Sequence, residues 1–411
     1  FAIDIEILIP ENFPGPWLIN IFSTLSNIIL FFDKKSIRRF INLSKFSLLF
    51  VCVVVYDLVS VMIEKNIFSF AASIIKFFII YFFFLNACAE SINKKYYQNE
   101  QGILSLMYHR FDENKYPSTN IQMDIFKSQI EIIKNNKFKF YNPVKFEVEF
   151  NTSKSEKKIL LTIDDAFSSF YENAWPYLKK NKIPFILFVS TEAVGKNGYM
   201  TWDEIKEIEK EKFVFLGNHS HSHEYLIDYN LKNFKHDIDE SIKIFKNNIG
   251  YNPVFFSYPF GEYSLEQKNY ISKKFNYAFG QHSGVIDLNK DKYELPRFPI
   301  NEKYGDLDRF ERLIKFLPLQ YKSISPEDKF VDNSKNPPKM YIEFFDEQKN
   351  LDKITCYSNE GDGWNKTNIK LENNRLNIFF REKFKERRGR INCSMKDVEG
   401  WRWVGFQFSI N

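Results

Sequence analysis

The sequence lacks several features that mark familiar classes of protein. Only four of the 411 residues are cysteines, and their spacing excludes a four-cysteine zinc site. The 57 basic and 52 acidic residues are mixed, and the absence of a long basic run argues against a nucleic-acid partner. There is no internal repeat. Two apolar runs approach the length of a membrane span, too few for a transporter with many spans.

Both apolar runs lie within residues 1–93. Residues 46–63 are about long enough to cross a bilayer. The second run ends at residues 87–89 with the letters ACA, the small-x-small pattern that signal peptidase cuts. We therefore predict an N-terminal signal peptide or membrane anchor, with Met62 as a candidate start. Two uncleaved transmembrane helices are the alternative.

Whether the chain is exported determines its compartment and whether its downstream cysteines can form a disulfide. Residues 85–88, LNAC, also resemble the lipobox of bacterial lipoproteins, in which the cysteine becomes an acylated N-terminus. Either type of cleavage places the remaining chain in the periplasm or the cell envelope. There, Cys356 and Cys393 are the pair available for a disulfide, whereas in the cytosol they would stay reduced. The sequence leaves the disulfide open because it gives no distance between the two residues.

After a polar linker, short β-rich runs alternate with amphipathic segments. This alternation predicts an α/β fold whose parallel sheet is closed or nearly closed into a barrel, with catalytic groups at the carboxyl ends of the strands. The predicted strands cover residues 103–108, 158–163, 185–190, 213–217, 254–258 and 277–281. The predicted helices cover residues 123–135, 170–180, 202–210, 231–248 and 265–274.

Beyond Gly305 the pattern changes. One more helix, at residues 307–316, and a polar stretch precede six alternating runs that predict a small antiparallel β-sandwich. Its aromatic residues Trp364, Trp401 and Trp403 either stack on sugars or, as we favour, fill the core or dock the sandwich onto the barrel. The predicted division is an N-terminal region at 1–93, an α/β domain at 94–305, a linker at 306–338 and a sandwich at 339–411.

Two clusters of side chains suggest a metal site. His219 and His223 stand four residues apart, a spacing that brings two imidazoles to one face of a helical turn, whereas His221 points elsewhere. Upstream, a buried-type strand runs into Asp164 and Asp165, and adjacent buried carboxylates are costly unless a cation lies near them. One carboxylate and two imidazoles would leave metal positions open for water and substrate. A solvated polar loop is the alternative.

Both clusters match motifs of a known family. The letters TIDDA at residues 162–166 resemble a T-F-D-D-G motif, and HSHSH at residues 219–223 resembles an H-[ST]-x-x-H type ligand motif. Residues 102–299 thereby resemble the NodB-homology polysaccharide deacetylases, carbohydrate esterase family 4. The resemblance implies a NodB-type, distorted β/α barrel. It also implies metal-dependent hydrolysis of N-acetyl groups on an amino-sugar polysaccharide.

The resemblance assigns roles to four residues. It implies Asp164 as the general base and Asp165 as a metal ligand, together with His219 and His223. Zinc is the default ion, although iron, cobalt and nickel also accept imidazole and carboxylate ligands. The expected partner is an N-acetylated polysaccharide outside the cytoplasm. The membrane is a second partner, through the N-terminal segment or a lipid anchor.

A third motif implies an oxyanion donor. The letters SYPFG at residues 257–261 resemble the family's R-x-P-[FY]-G motif, which implies that the backbone N–H of Phe260 holds the tetrahedral oxyanion. Such a donor contributes about 3 to 4 kcal/mol. Ser257 stands where many members have arginine. Arg297 is a candidate for the missing cation beside Asp164, and a surface arginine is the alternative.

The general acid is expected on the first strand. The family's L-x-H motif is absent after Arg297, whereas MYHR at residues 107–110 resembles the opening of the poly-N-acetylglucosamine deacetylases, whose barrel is circularly permuted. The resemblance implies His109 as the acid, with His282 as its competitor. Ala166 replaces the motif glycine, and we expect a negative φ and a slightly different turn there.

Two rival functions are open on the sequence alone. A peptidoglycan or small-amide deacetylase or amidase of the same fold would carry the same motifs, so only substrate trials would separate it. A non-catalytic polysaccharide-binding protein is the second rival. A protein that had lost activity should also have lost some of the acidic and histidine residues of the motifs, and here they are intact.

Overall fold

The computed structural model describes residues 101–152, 157–346 and 348–410. The predicted signal peptide or membrane anchor in residues 1–93, with its candidate start Met62 and its cleavage sites, lies outside the described residues. Within the described ranges, no helix is both long enough and apolar enough to span a bilayer.

The first part of the fold is a curled sheet covered by helices. Its strands, with a separate short pair, are β1 (Ile103–Tyr108), β2 (Arg110–Phe111), β3 (Asn120–Ile121), β4 (Lys139–Phe140), β5 (Lys158–Ile163), β6 (Phe185–Val189), β7 (Val214–Asn218), β8 (Phe255–Ser257), β9 (Tyr277–Phe279), β10 (Val285–Ile286) and β11 (Phe298–Pro299). Strands β1, β5, β6, β7, β8 and β9 are neighbours in that order and run parallel. Strand β10 pairs with β1 in the antiparallel sense, and β2 pairs with β3.

Among the described residues, seven helices accompany the sheet, and some of them begin or end at clear capping residues. They are α1 (Met123–Asn135), α2 (Phe146–Thr152), α3 (Trp175–Asn181), α4 (Trp202–Glu209), α5 (Leu231–Ile249), α6 (Leu265–Ile271) and α7 (Leu307–Leu313). Thr201 and Glu204 form a capping box before α4. Asn230 caps the start of α5, and Gly250 ends it at a φ of 96°. The helix predicted at residues 170–180 begins with a π-helical turn before α3.

The sheet is buried on both faces and curls toward closure. All six residues of β5, KILLTI, are buried, the composition expected of a parallel strand that is covered on both sides. Residues 295–298 contact the first and the last strand of the parallel set, β1 and β9. Leu295 bridges to Phe279 in β9, and Phe298 pairs with Leu106 in β1. The predicted α/β class is confirmed, as a curled sheet with helices.

Residues 317–410 form two further sheets. Their strands are β12 (Leu317–Pro318), β13 (Ser323–Ser325), β14 (Phe330–Val331), β15 (Met340–Glu343), β16 (Thr355–Asn359), β17 (Trp364–Lys366), β18 (Asn368–Glu372), β19 (Arg375–Phe379), β20 (Arg388–Lys396) and β21 (Trp401–Ile410). One sheet has the order β12-β21-β20-β16-β17, with β14 also paired to β21, and the other has the order β13-β15-β19-β18. Residues of both sheets share one apolar cluster. The sandwich packing stays a prediction.

A disulfide joins two strands inside this apolar cluster. Buried and half-buried residues alternate along β20, as in antiparallel sheets with one face in a core. Cys356 in β16 and Cys393 in β20 are opposite residues in the strand register. They form a disulfide with a Cα–Cα distance of 4.1 Å. The structure thus joins the pair that the sequence left open.

The segment predicted as a linker, residues 306–338, takes part in these sheets. It contains α7, and its strands β12 and β14 pair with β21 while β13 pairs with β15. The Trp403 ring stacks on Phe316 at 5.0 Å, as expected for a docking residue. Trp364 and Trp401 are 42% and 49% exposed. The domain boundaries stay a prediction.

Candidate active site

Three side chains with metal-binding atoms converge at the carboxyl ends of β5 and β7. Asp165 follows β5, and His219 and His223 follow β7. Asp165 Oδ1 lies 3.4 Å from His219 Nε2 and 3.1 Å from His223 Nε2. One ligand atom from each of the three side chains lies within 4.8 Å of the other two. The structure therefore brings together the three residues predicted as metal ligands, which we call the metal triad.

The hydrogen bonds of the metal triad fit a bound cation. His219 Nδ1 lies 2.7 Å from the carbonyl oxygen of Ser257, so the ring proton belongs on Nδ1 and Nε2 keeps its electron pair. Neither His219 Nε2 nor Asp165 Oδ1 makes a hydrogen bond of acceptable geometry to any residue that the structure describes. Two buried electron-pair donors that face each other need a cation between them. A divalent ion suits this set of ligands.

The pKa shifts of Asp165 and His219 favour the forms that bind a metal ion, whereas the shift of His223 favours its charged form. Burial lowers the pKa of His219 to about 4, against the opposing effect of Asp164. Burial would raise the pKa of Asp165, but the neighbouring His223 outweighs it and holds that pKa far below its usual value. For His223, burial lowers the pKa, but Asp165 outweighs burial and the net shift is upward. An ionised carboxylate and a neutral imidazole are the forms that bind metal ions.

The backbone around the metal triad adopts conformations that side chains disfavour. The φ angle is positive at Asp165 (75°), Ala166 (54°), Ser220 (67°) and His223 (53°). Such residues concentrate at functional sites, where the surrounding structure holds them. The expected negative φ at Ala166 is wrong. Its carbonyl accepts a hydrogen bond from the Met200 N–H at 2.9 Å, which helps to hold the turn without glycine.

Asp164 and Arg297 form a buried, bidentate ion pair beside the metal triad. Both side chains are fully buried, with Arg297 Nη1 2.6 Å from Asp164 Oδ1 and Nη2 2.8 Å from Oδ2. Arg297 also donates to the carbonyl of Gly280 at 2.9 Å and to Ser257 Oγ at 2.7 Å. Burial would raise the pKa of Asp164, but Arg297 and His219 outweigh it and keep the carboxylate ionised. Arg297 is therefore the cation beside Asp164 and not a surface residue.

Phe260 lies in the turn that follows β8. Its φ of 58° and ψ of 4° place it in the left-handed region. The turn is closed by a hydrogen bond from the Gly261 N–H to the Tyr258 carbonyl at 2.9 Å. The Phe260 ring centroid lies 5.0 Å from that of His223. The residue predicted as oxyanion donor thus lies next to the metal triad.

His109 directly follows β1 and lies near Asp164. Its Nε2 is 4.0 Å from Asp164 Oδ2, and its side chain is 13% exposed. Burial lowers the pKa of His109, although Asp164 and Asp165 oppose this effect. The distance exceeds a direct hydrogen bond, so a water molecule or a small movement would be needed to join the two side chains.

These residues fall largely within a segment that matches a known family. Residues 151–280 match the family model described as polysaccharide deacetylase. The chain contains a polysaccharide deacetylase domain. The matched segment includes the metal triad and Phe260, whereas His109 and Arg297 lie outside it. The family predicted from the motifs is confirmed, and its members are N-deacetylases that hydrolyse amide bonds.

The deacetylase domain is similar to named proteins in sequence and in structure. A poly-β-1,6-N-acetyl-D-glucosamine N-deacetylase of Staphylococcus aureus strain MRSA252 is 27% identical over 251 residues, covering 54% of this chain and 85% of that protein. The structure of IcaB from Ammonifex degensii has a TM-score of 0.47 and 22% identity, covering 53% of this chain and 98% of that one. The Streptococcus pyogenes deacetylase PplD has a TM-score of 0.47 and 20% identity, covering 50% and 95% of the two chains.

Two other histidines of the deacetylase domain have different surroundings. His221 Nδ1 lies 2.9 Å from Thr191 Oγ1, so its ring turns away from the metal triad. His282 lines a cavity of about 40 Å³ together with Glu294 and Lys329, and burial lowers its pKa to about 4. No member of the metal triad lines that cavity. The geometry therefore favours His109 over His282 as the histidine that faces Asp164.

Two further residues of the deacetylase domain, Ser257 and Thr162, support the site in ways that the sequence did not predict. Ser257 was noted as a departure from the motif, yet its carbonyl orients His219 and its hydroxyl accepts from Arg297. Thr162 Oγ1 likewise accepts from Arg297 Nη1 at 3.1 Å. The missing motif arginine was the available signal, because a small residue at 257 leaves space for a guanidinium that arrives from elsewhere.

Proposed function

We propose that this protein is a metal-dependent N-deacetylase that removes acetyl groups from an amino-sugar polysaccharide outside the cytoplasm. The convergence of the metal triad beside the ionised Asp164 carries the proposal. Amide hydrolysis needs a group that polarises the carbonyl and a base that activates water. The two halves of the site offer these functions a few ångströms apart, since His219 Nε2 lies 3.8 Å from Asp164 Oδ2.

Asp165, His219 and His223 would hold the metal ion. Two imidazoles and one carboxylate suit zinc best, and iron, cobalt or nickel would also fit. A bound ion would act as a Lewis acid toward the acetamide oxygen and would leave coordination positions free for substrate.

The residues around the metal triad divide the remaining tasks. Asp164 accepts the proton of the attacking water, and Arg297 holds its carboxylate in one orientation through two hydrogen bonds. The Phe260 N–H donates to the oxyanion of the tetrahedral intermediate. His109 returns a proton to the departing amine. Proton balance requires the proton that Asp164 takes from the water to be passed to His109, whose Nε2 lies 4.0 Å from Asp164 Oδ2.

The substrate is a poly-N-acetylglucosamine-like polymer or another N-acetylated polysaccharide of the envelope. Two features support this choice. The S. aureus relative is named for poly-β-1,6-N-acetyl-D-glucosamine. The MYHR sequence that ends at Arg110 also places a histidine directly after the first strand, in the motif that resembles the poly-N-acetylglucosamine subgroup.

The site of action is the periplasm or the cell envelope. The apolar segments of residues 1–93 support export, with attachment to the membrane through an uncleaved segment or a lipid. The Cys356–Cys393 disulfide supports an oxidising compartment. We also propose that the C-terminal sheets pack as a β-sandwich accessory domain, because they share one apolar cluster.

Acetate release tests the proposal. The full chain, loaded with zinc, should release acetate from β-1,6-linked N-acetylglucosamine oligomers, and chelation should abolish the release reversibly. Peptidoglycan fragments and a small acetanilide serve as competing substrates. Preference for either of these would replace the polymer assignment. No release from any substrate, with metal binding demonstrated, would overturn the enzyme in favour of a binding protein.

A further inference from the structure

The C-terminal strand β21 reaches the turn that carries Phe260. Gln407 Nε2 donates to the carbonyl oxygens of Phe260 and Gly261 at 3.0 and 3.2 Å. Gln407 is buried, and 147 residues separate it from Phe260 along the chain. One side chain of the C-terminal sheets therefore holds two successive carbonyls of the turn.

The direction of the Gln407 amide is fixed by its neighbour. Arg390 lies opposite Gln407 in the pairing of β20 with β21. Arg390 Nε donates to Gln407 Oε1 at 2.9 Å. Because a guanidinium only donates hydrogen bonds, the amide oxygen must face Arg390 and the amide NH₂ must face the turn. The contact is thus a matched pair of donors and acceptors.

The turn needs such support because its backbone is disfavoured. Phe260 is a bulky residue with a positive φ of 58°, and the next residue, Gly261, has a φ of 69°. A Cβ atom at Gly261 would lie 2.6 Å from both the backbone N and the Cβ of Gln281. Residues in such conformations persist only where the surrounding structure over-determines them. A small rotation of the turn would redirect the Phe260 N–H.

Arg387, which directly precedes β20, also contacts residues around this turn. Arg387 donates to Glu262 at 2.9 Å and to Asp228 at 2.7 Å. Its guanidinium lies 4.1 Å from the ring centroid of Tyr225, and the Phe260 ring stacks on Tyr225 at 4.2 Å. Two planar groups this close to one ring must occupy its opposite faces. Tyr225 is therefore held between Arg387 and Phe260, and it has no free face for a sugar.

We propose that Gln407 is a positioning residue that aims the Phe260 N–H at the oxyanion. The inference rests on the proposed deacetylase function. Gln407 lies outside residues 151–280, the segment that matches the family model. The C-terminal sheets therefore help to set the position of the oxyanion donor in the deacetylase site.

The test is Gln407→Glu in the full, zinc-loaded chain. The carboxylate keeps the side-chain shape and still accepts from Arg390, but it loses both donors and faces two carbonyl oxygens. We expect kcat for acetate release to fall about tenfold, less than the loss of a whole oxyanion donor. We expect KM and zinc affinity to change less than about twofold, because the metal triad is untouched. Asn365→Asp, an exposed amide-to-acid change in β17, is the matched control.

Hydrogen exchange at the Gly261 amide decides the role independently of activity. This amide donates to the Tyr258 carbonyl inside the turn, so it reports whether the turn stays closed. Faster exchange in Gln407→Glu than in Asn365→Asp is expected. Equal exchange, or an unchanged kcat in an active wild type, would overturn the positioning role. If the wild type releases no acetate, the proposed function fails, while the exchange result still shows whether Gln407 holds the turn.

Discussion

The strand ends of the curled sheet and the interior of the C-terminal sheets are both buried, but they bury different groups. The first region buries Asp164 and Arg297 completely, beside the metal triad. The second buries a cluster of apolar side chains together with the Cys356–Cys393 disulfide. Buried charge costs stability unless it is paired, whereas apolar burial and disulfides stabilise the fold.

This contrast indicates a division of labour within one chain. The curled sheet holds ionised and strained groups in place for chemistry, at a cost in stability. The C-terminal sheets enclose an apolar core, and Gln407 and Arg387 connect them by hydrogen bonds to the turn that carries Phe260. Substitutions in the first region should therefore change activity most, and substitutions in the core of the second should change stability most. Four predictions test this division.

The largest effect is expected from Asp164→Asn. Loss of the base should lower kcat for acetate release by on the order of 10³-fold. The melting temperature should also fall, because Arg297 would lose its buried anionic partner. Kinetics and calorimetry measure the two effects, and Asp203→Asn, at an aspartate whose side chain is 97% exposed, is the control. Activity within tenfold of wild type would remove Asp164 from the role of base.

His223→Gln and His221→Gln should distinguish the histidine that binds the metal from the neighbouring histidine that does not. His223 belongs to the metal triad, so its loss should weaken zinc binding at least about 100-fold, beyond the effect of a residue that only orients a ligand. His221 lies against Thr191, so its replacement should leave zinc affinity within a few fold. Calorimetric zinc titration measures both. Equal losses would mean that the metal lies elsewhere.

Replacing Cys356 and Cys393 by serine together should destabilise the chain without slowing the chemistry. Removal of a native disulfide costs about 2 to 5 kcal/mol in small domains, and this one closes a sequence separation of 37 residues. Denaturant unfolding should show the loss, while kcat at low temperature stays within about twofold of wild type. A large fall in kcat would contradict the division of labour, since neither cysteine contacts the metal triad among the described residues.

The smallest effect is expected from Glu294→Gln. Burial would raise the pKa of Glu294, but Lys329 and Lys268 outweigh it and hold that pKa below 4.5. A depressed pKa means that the charged form stabilises the fold above pH 4.5 and that this stability is lost as the pH falls through the folded-state pKa. The variant should therefore lose less stability on acidification than wild type, as urea unfolding at several pH values would show. Parallel pH curves for the two proteins would exclude Glu294 as a source of acid sensitivity.

Much of the fold followed from local patterns. Strand β5 and helix α1 were predicted with the bounds that the structure gives. A mostly apolar strand and an amphipathic helix each leave a clear pattern in the sequence. The short strands β12, β13 and β14 were missed inside the predicted linker. Strands of two or three residues take their structure from a distant partner, and no local pattern records that partner.

In the site, too, local motifs predicted some residues, and the residues that depend on distant partners were missed. The metal triad was predicted because its members lie in two compact motifs, and the structure places their ligand atoms together. The positive φ at Ala166 was not predicted, since its neighbours and not its own preferences set the backbone there. Gln407 gave no signal at all, because a glutamine in a strand has many uses and its partner at Phe260 is separated from it by 147 residues.

The segment at residues 295–298 also has a consequence for the order of assembly. It contacts β9 and β1, the outer strands of the parallel set, and carries Arg297 between these two contacts. In a chain built from its N-terminus, all three members of the metal triad are present before this segment is added. Until then Asp164 would lack its cation and the sheet would remain open. A chain broken before Arg297 would therefore lack both the cation that orients Asp164 and the segment that links β9 to β1.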